Sequence, residues 1–506
     1  MIATMAVRSP VASRPKTRDV FARGPVLAVA AAMVAGLLLV SAAYGFHRDE
    51  LYFIVAGRHP AFGYADQPPF TPLVSAAMTQ LLGLSPIAIR ILPAFAMGLA
   101  AVLAALMARD LGGGRAAQTV AAAAIAASGF LAAGHLDHTT TYDLLATTVV
   151  LWLVVKLLAG ADPRLWLGVG LAAGIGLQNK FSVVLFGASL IIGFVLTRRW
   201  DVFRSPWAWL GVAIAALIWL PNLAWQVANG WPQFEMARAI AREAAENRTL
   251  FLPLQVIFAG LFLAPVLIAG IAWLLARPAG RPWRALAWGY LALVVIYLAT
   301  AGKGYYAIGY FAALFAAGAI VTEGWLGRGR RALRRGILVV AIVASAIFIS
   351  VMTLPIIPID VVGSTPIPEI YTESAEQVGW PQLADAVADA ADSLPPDERA
   401  LAVVFASNYA AAGASELLGA ARKMPPVYSG HNSYWEWGPP PEVDGPVILV
   451  GWHGTYLPPG FRDCRLVGAV DNGVRVENED QGDAIQVCGG RTGTWAEMWP
   501  HARHLD

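Results

Sequence analysis

The sequence predicts an α-helical polytopic membrane protein of about eleven transmembrane helices, followed by a small soluble α/β domain. Three observations predict it. Hydrophobic residues make up 57% of the 506 positions and charged residues only 14%, where soluble domains carry about a quarter. The mean hydropathy is +0.57, and apolar runs long enough to cross a bilayer recur up to about residue 355. Beyond that point the chain turns acidic and proline-punctuated, and the runs stop.

The basic segment 1–24 carries Arg8, Arg14, Lys16, Arg18 and Arg23, and an apolar stretch follows from about Pro25 to Phe46. That stretch is longer than the core of a cleavable signal, so it reads as a retained first span. Further spans are expected at 86–108, 116–134, 140–158, 165–179, 181–197, 207–228, 251–276, 285–301, 304–326 and 336–355. Residues 70–84 are apolar but short, which suits a helix lying in the interface.

Orientation follows from the arginines. Clusters at Arg109/Arg115, Arg198/Arg199/Arg204, Arg277/Arg281/Arg284 and Arg328–Arg335 return to the same side as the basic N-terminus, which the positive-inside rule makes cytoplasmic. An odd number of spans then puts the loops 47–85, 135–139 and 229–250, the corners at Lys180 and Lys303, and the tail outside. The expected division is a cytoplasmic segment 1–24, a transmembrane domain 25–355 containing the outer loop 47–85, and an extracytoplasmic domain 356–506, all at the cell membrane. In the tail ALAVVFAS and PVILVGWH read as strands and NYAAAGASELLGA as a helix. Cys464 and Cys488 are expected to be bonded on that oxidising side.

Polar residues gather on the predicted outer face. Asp49 and Glu50 end the first span, Asp66 precedes Pro68-Pro69, and His135, Asp137 and His138 occupy the next outer loop. Asp143 lies one turn into the following span, while Lys180 and Lys303 interrupt apolar corners. Charges near a bilayer tend to face a bundle interior or a water-filled cavity. Glu50, beside Arg48, suits a solvated helix end. His135 and His138, with Asp66, are candidates for a divalent metal. In the tail, GHNSYWEW (430–437) puts His431 and Trp435 in a loop-like stretch. Such residues suit a sugar-binding groove, and a packed core is the alternative. A net charge of +2 does not point to nucleic acid.

DELY (49–52) followed by GYADQPP (63–69) resembles glycosyltransferase family 39, the protein O-mannosyltransferases and lipid A aminoarabinose transferases of the type C fold. TTTYDLL (139–145), GLQNKFS (176–182) and GKGYYAIGYFAAL (302–314) resemble further segments of that family, and the tail stretches 408–419 and 429–440 resemble a bacterial branch. The resemblance implies transfer of a sugar from a polyprenyl-phosphate donor in the bilayer to an extracytoplasmic acceptor. It implies Asp49 as general base, Asp143 as its helper or an acceptor-positioning group, and Lys180 with Lys303 at the donor phosphate. Asp66 would orient the sugar or hold a metal, and Glu50, Tyr52 and Gln67 fall among the substrate-binding positions. Two departures stand out: Gln67 replaces the lysine of the aminoarabinose transferases, and Asn247 stands near their later histidine. A secondary transporter and a non-catalytic glycan-binding protein are the alternatives. A transporter, however, keeps its polar groups near mid-membrane and often shows internal repeats. Loss of Asp49 would be tolerated only without catalysis.

Overall fold

The computed structural model describes residues 20–452 and 458–505. The basic positions Arg8 to Arg18 and the end of PVILVGWH at His453 lie outside the described residues.

Among the described residues seven stretches are long and apolar enough to cross a membrane: Arg23–Val40, Pro86–Asp110, Thr139–Leu158, Pro206–Ala228, Pro278–Thr300, Gly304–Leu326 and Arg331–Thr353. The expected span at 251–276 is not one rod. It is two helices, Ala244–Phe258 and Leu261–Ala276, bent by 80°. The break has a local cause at Gly260, whose φ is +80°, and a Cβ there would lie 2.1 Å from the Ala127 carbonyl oxygen. Only glycine takes that conformation at that approach. The expected spans at 165–179 and 181–197 are the helices Leu165–Leu177 and Ser182–Leu196, 13 and 15 residues long. At 1.5 Å per residue each is shorter than a hydrocarbon core of about 30 Å. The span at 116–134 is likewise split, into Arg115–Ala126 and Gly129–Ala133. The eleven apolar segments are therefore all helical, but they reduce to seven full-length spans, or eight with the bent pair.

The two ends of this bundle differ. At one end the basic corners meet each other: the Gly114 and Ala116 amides donate to Glu323 at 2.8 and 3.1 Å, and Arg199 donates to the Pro282 carbonyl at 3.2 Å. Over the other end lies helix Arg48–Arg58, started by a capping box of His47 and Glu50. Helix Phe70–Leu82, the expected interfacial helix, packs so closely on it that a Cβ at Gly57 would meet the Pro72 oxygen at 2.0 Å.

The tail folds into a five-stranded sheet of β1 (Val403–Ala406), β2 (Val427–Ser429), β3 (Val447–Trp452), β4 (Phe461–Ala469) and β5 (Ala484–Arg491), in the order β2-β1-β3-β5-β4. The first three strands are parallel, and β5 joins β3 and β4 antiparallel. Both expected strands are present, as β1 and β3. The expected helix is Tyr409–Leu418, whose Asn408 cap accepts from the Ala411 amide at 2.8 Å. Cys464 and Cys488 face each other across β4 and β5 and are disulfide-bonded. The tail is not detached from the bundle. Leu51, Tyr52, Ile54 and Val55 share one apolar core with Trp380, Leu383, Val404 and Ile448 of the tail. Burying that shared apolar surface holds helix Arg48–Arg58 against the tail.

Candidate active site

Between the bundle end and the tail lies a cavity of about 1030 Å³. Residues from segments far apart in the chain line it: Asp49, Asp66, His138, Lys180, Lys303, Glu373 and Tyr409 among them. One short helix aims the first acid. His47 has extended backbone and starts the helix, so Asp49 falls in its first turn and Tyr52 three residues on, on the same face.

Asp49 is held on both oxygens. Its Oδ2 lies 3.0 Å from His138 Nε2, and its Oδ1 accepts from the Tyr409 hydroxyl at 2.8 Å. Burial by itself would raise this carboxyl, but the His138 hydrogen bond and the neighbouring His47 imidazole and Arg48 guanidinium hold it well below the usual carboxylate range. Asp66 accepts from the Tyr52 hydroxyl at 2.6 Å, yet burial pushes it up to about 7. Gln67, the departure from the resembling motif, also lines the cavity, and among the described residues its buried amide nitrogen has no partner.

On the bundle side Lys180 donates to Thr140 Oγ1 at 3.1 Å and sits over the rings of Tyr305 and Tyr306, at 5.2 and 4.8 Å. Burial lowers its ammonium to about 8, with Asp143 opposing and Lys303 adding to the shift. Lys303 lines the same wall, and among the described residues its ammonium has neither a hydrogen bond nor an ion pair.

Several expected site residues stand elsewhere. Glu50 is neither a solvated helix end nor a lining residue. It is fully buried, paired with the equally buried Arg90 through two bonds of 2.8 and 2.7 Å, and it accepts from the amides of His47 and Asp137. A carboxylate so placed fixes the helix and the 134–138 loop, and it has no free face for substrate. Asp143 accepts from Ser182 at 2.9 Å and steadies the Lys180 corner from behind. His431 is 2% exposed, with its ring between Tyr409 and His504. Trp435 donates its indole N–H to the Trp499 carbonyl at 2.9 Å and packs, half-buried, against the core of β1 and β3. His431, Ser433 and Tyr434 are therefore buried, Trp435 and Trp437 pack half-buried against the cores, and Asn432 reaches the cavity.

The metal candidates do not converge. Asp66 binds Tyr52, His135 binds Gln377 at 3.0 Å, and His138 binds Asp49. Among the described residues no three His, Cys, Asp or Glu side chains gather as a donor set. Asp66, His135 and His138 therefore do not form a metal-binding set.

Sequence reasoning missed the tail's share of the site. Glu373 pairs with His47 at 3.0 Å, Glu479 pairs with Arg48, and Tyr409 reaches Asp49. Tyr409 had a faint signal, lying directly after a helix-capping Asn. Glu373 and Glu479 had none, because their partners lie more than three hundred residues away.

Residues 66–225 match the family described as dolichyl-phosphate-mannose-protein mannosyltransferase. The lipopolysaccharide core galacturonosyltransferase RgtA of Rhizobium johnstonii is 26% identical over 175 residues, 33% of this chain and 34% of that protein. The match thus spans about a third of the length of that curated relative. ArnT from Cupriavidus metallidurans in the apo state superposes with a TM-score of 0.60 at 14% identity, over 92% of this chain and 97% of ArnT. The Archaeoglobus fulgidus oligosaccharyltransferase gives 0.52 at 16% identity, over 79% and 62%. The chain is therefore similar to the mannosyltransferases of glycosyltransferase family 39 over residues 66–225, and it has the type C glycosyltransferase fold.

Proposed function

We propose that the protein is a membrane glycosyltransferase that moves a sugar from a polyprenyl-phosphate donor to the hydroxyl of an extracytoplasmic acceptor. One observation carries this reading: a half-buried carboxylate, Asp49, and two ammonium groups without carboxylate partners among the described residues face one cavity at a membrane-bundle end. Two solved relatives of the same fold add support, ArnT bound to undecaprenyl phosphate and AglB in complex with a dolichol-phosphate.

In this reading Lys180 and Lys303 hold the donor phosphate, and the lipid tail runs down among the apolar helices. The acceptor oxygen attacks the anomeric carbon as the bond from that carbon to the phosphate oxygen breaks. The electron pair goes to the phosphate, where the two ammonium groups stabilise the growing charge. The acceptor proton passes to Asp49, and the sugar inverts because a single displacement occurs. Asp49 is a weak base in the resting protein. Its use therefore requires that proton transfer run late, with carbon–oxygen bond breaking well advanced and the attacking hydroxyl already acidified. Asp66, one oxygen on Tyr52, faces the sugar.

Purified protein incubated with a panel of labelled polyprenyl-phosphate sugars and an extract of cell-envelope acceptors tests the reading. Label transferred to an acceptor is the expected result. Binding of the donors without transfer or hydrolysis, in wild type and Asp49→Asn alike, would mark a binding protein instead.

A further inference from the structure

His138 and Thr140 join the two chemical halves of the cavity. His138 ends the loop before helix Thr139–Leu158, and its side chain caps that helix: the Thr140 amide donates to Nδ1 at 3.1 Å. The Thr140 hydroxyl lies 3.1 Å from the same nitrogen, and that hydroxyl accepts from the Lys180 ammonium at 3.1 Å. On the other side of the ring, Nε2 lies 3.0 Å from Asp49 Oδ2.

The donor directions follow from these contacts. A backbone N–H can only donate, so Nδ1 is an acceptor and the neutral ring carries its proton on Nε2. That proton points at Asp49, which as a carboxylate only accepts. An ammonium also only donates, so the Thr140 oxygen takes its hydrogen from Lys180 and turns its own toward Nδ1. Every donor in the series Lys180, Thr140, His138, Asp49 therefore points the same way.

We infer that His138 and Thr140 are positioning residues, forming a one-directional hydrogen-bond bridge that sets the spacing and orientation of the phosphate-binding lysine and the acceptor-facing aspartate. The bridge rests on the roles given above to Lys180 and Asp49. It also accounts for the short helix start HTTTYD: the cap residue must be an imidazole to reach Asp49, and the second residue of the helix must carry a hydroxyl to reach Lys180. No metal is needed to orient His138, because a helix terminus already does so. Phosphate arriving at Lys180 occupies other N–H directions of the ammonium, which has three, and leaves the bond to Thr140 in place.

The test separates this bridge from a merely structural role. Thr140→Val keeps the amide cap and the side-chain shape while removing the hydroxyl, so Tm should stay within a degree or two of wild type. Its kcat for transfer should fall about tenfold, the size of one hydrogen bond to a charged group. Thr140→Ser should restore it. Combining Thr140→Val with His138→Gln should be no worse than the poorer single variant, since both break one chain. Wild-type kcat in Thr140→Val, or effects that multiply, would overturn the bridge. If wild-type protein transfers no sugar, the functional reading fails. The bridge is still tested by nitrogen-15 spectra of His138: a proton on Nε2 with a bare Nδ1 is expected, and a proton on Nδ1 would overturn it.

Discussion

The two walls of the cavity treat charge in opposite ways. On the bundle wall Lys180 and Lys303 are cations without carboxylate partners among the described residues, set against tyrosine rings and a threonine. On the loop-and-tail wall Asp49, Asp66 and Glu373 are each bound to a named donor: His138 with Tyr409, Tyr52, and His47. A cation left unpaired at a membrane boundary is costly unless an anion arrives. A carboxylate that already has donors is fixed in place and can present its remaining lone pairs without reorganising. One wall leaves its charges open to the cavity, and the other has them already bound.

The largest break in this contrast is at the loop-and-tail wall. Asp49→Asn keeps the shape and loses the proton acceptor, so transfer should fall by roughly 10²- to 10⁴-fold with insertion and folding intact. Single-turnover assays with bound donor read this directly, and wild-type turnover would remove Asp49 from the chemistry. Next is the bundle wall. Lys180→Ala should weaken binding of a polyprenyl phosphate about 10- to 100-fold, and Lys180→Arg should keep part of that affinity. Unchanged affinity in the alanine variant would make this lysine an interfacial side chain only.

Tyr409→Phe tests whether the tail wall acts on the base. It removes one donor to Asp49 and leaves the ring packed on Tyr52, so kcat should change by about tenfold or less with KM for the donor unmoved. Equal loss in both would place the tyrosine in general packing.

The smallest effect is on pH. Hydrogen bonding and charge from Glu373, Asp49 and Glu50 outweigh burial and raise the His47 pKa in the folded protein. The stability from a raised histidine is fully present below its unfolded pKa, about 6.5, and is lost as pH rises through the folded value. The tail-to-loop contact should therefore loosen on the alkaline side. A thermal melt should fall gradually above neutral pH in wild type and lose that slope in His47→Gln. An unchanged slope would assign the pH dependence to other groups.

Legibility in the sequence followed range. The apolar helical segments, the capped helix at Tyr409 and the disulfide are local or strongly patterned, and each was readable. The clustering of Asp49, Asp66, His138, Lys180 and Lys303 was also within reach, because alternation across a membrane sorts distant loops onto one face. Glu50 misled because its neighbour Arg48 suggested solvent, whereas its partner is Arg90, forty positions away and fully buried. His431 and Trp435 misled because aromatic and hydrogen-bonding residues serve a core and a sugar groove equally well. The apolar count also overstated the full-length spans, since hydropathy registers composition and does not see the break at Gly260.

By itself the sequence determined that this chain carries membrane-spanning helices, and that Asp49, Asp66, His138, Lys180 and Lys303 gather at one end of a helical bundle. Hydrophobic length and charge asymmetry act segment by segment, so they need no knowledge of packing. Only the tertiary structure decided that Glu50 faces inward while Asp49 faces the cavity, that the tail supplies Tyr409 and Glu373 to it, and that His138 links Asp49 to Lys180. These outcomes depend on which side chains meet across hundreds of residues. Burial and hydrogen-bond satisfaction choose among them only once the whole core has closed.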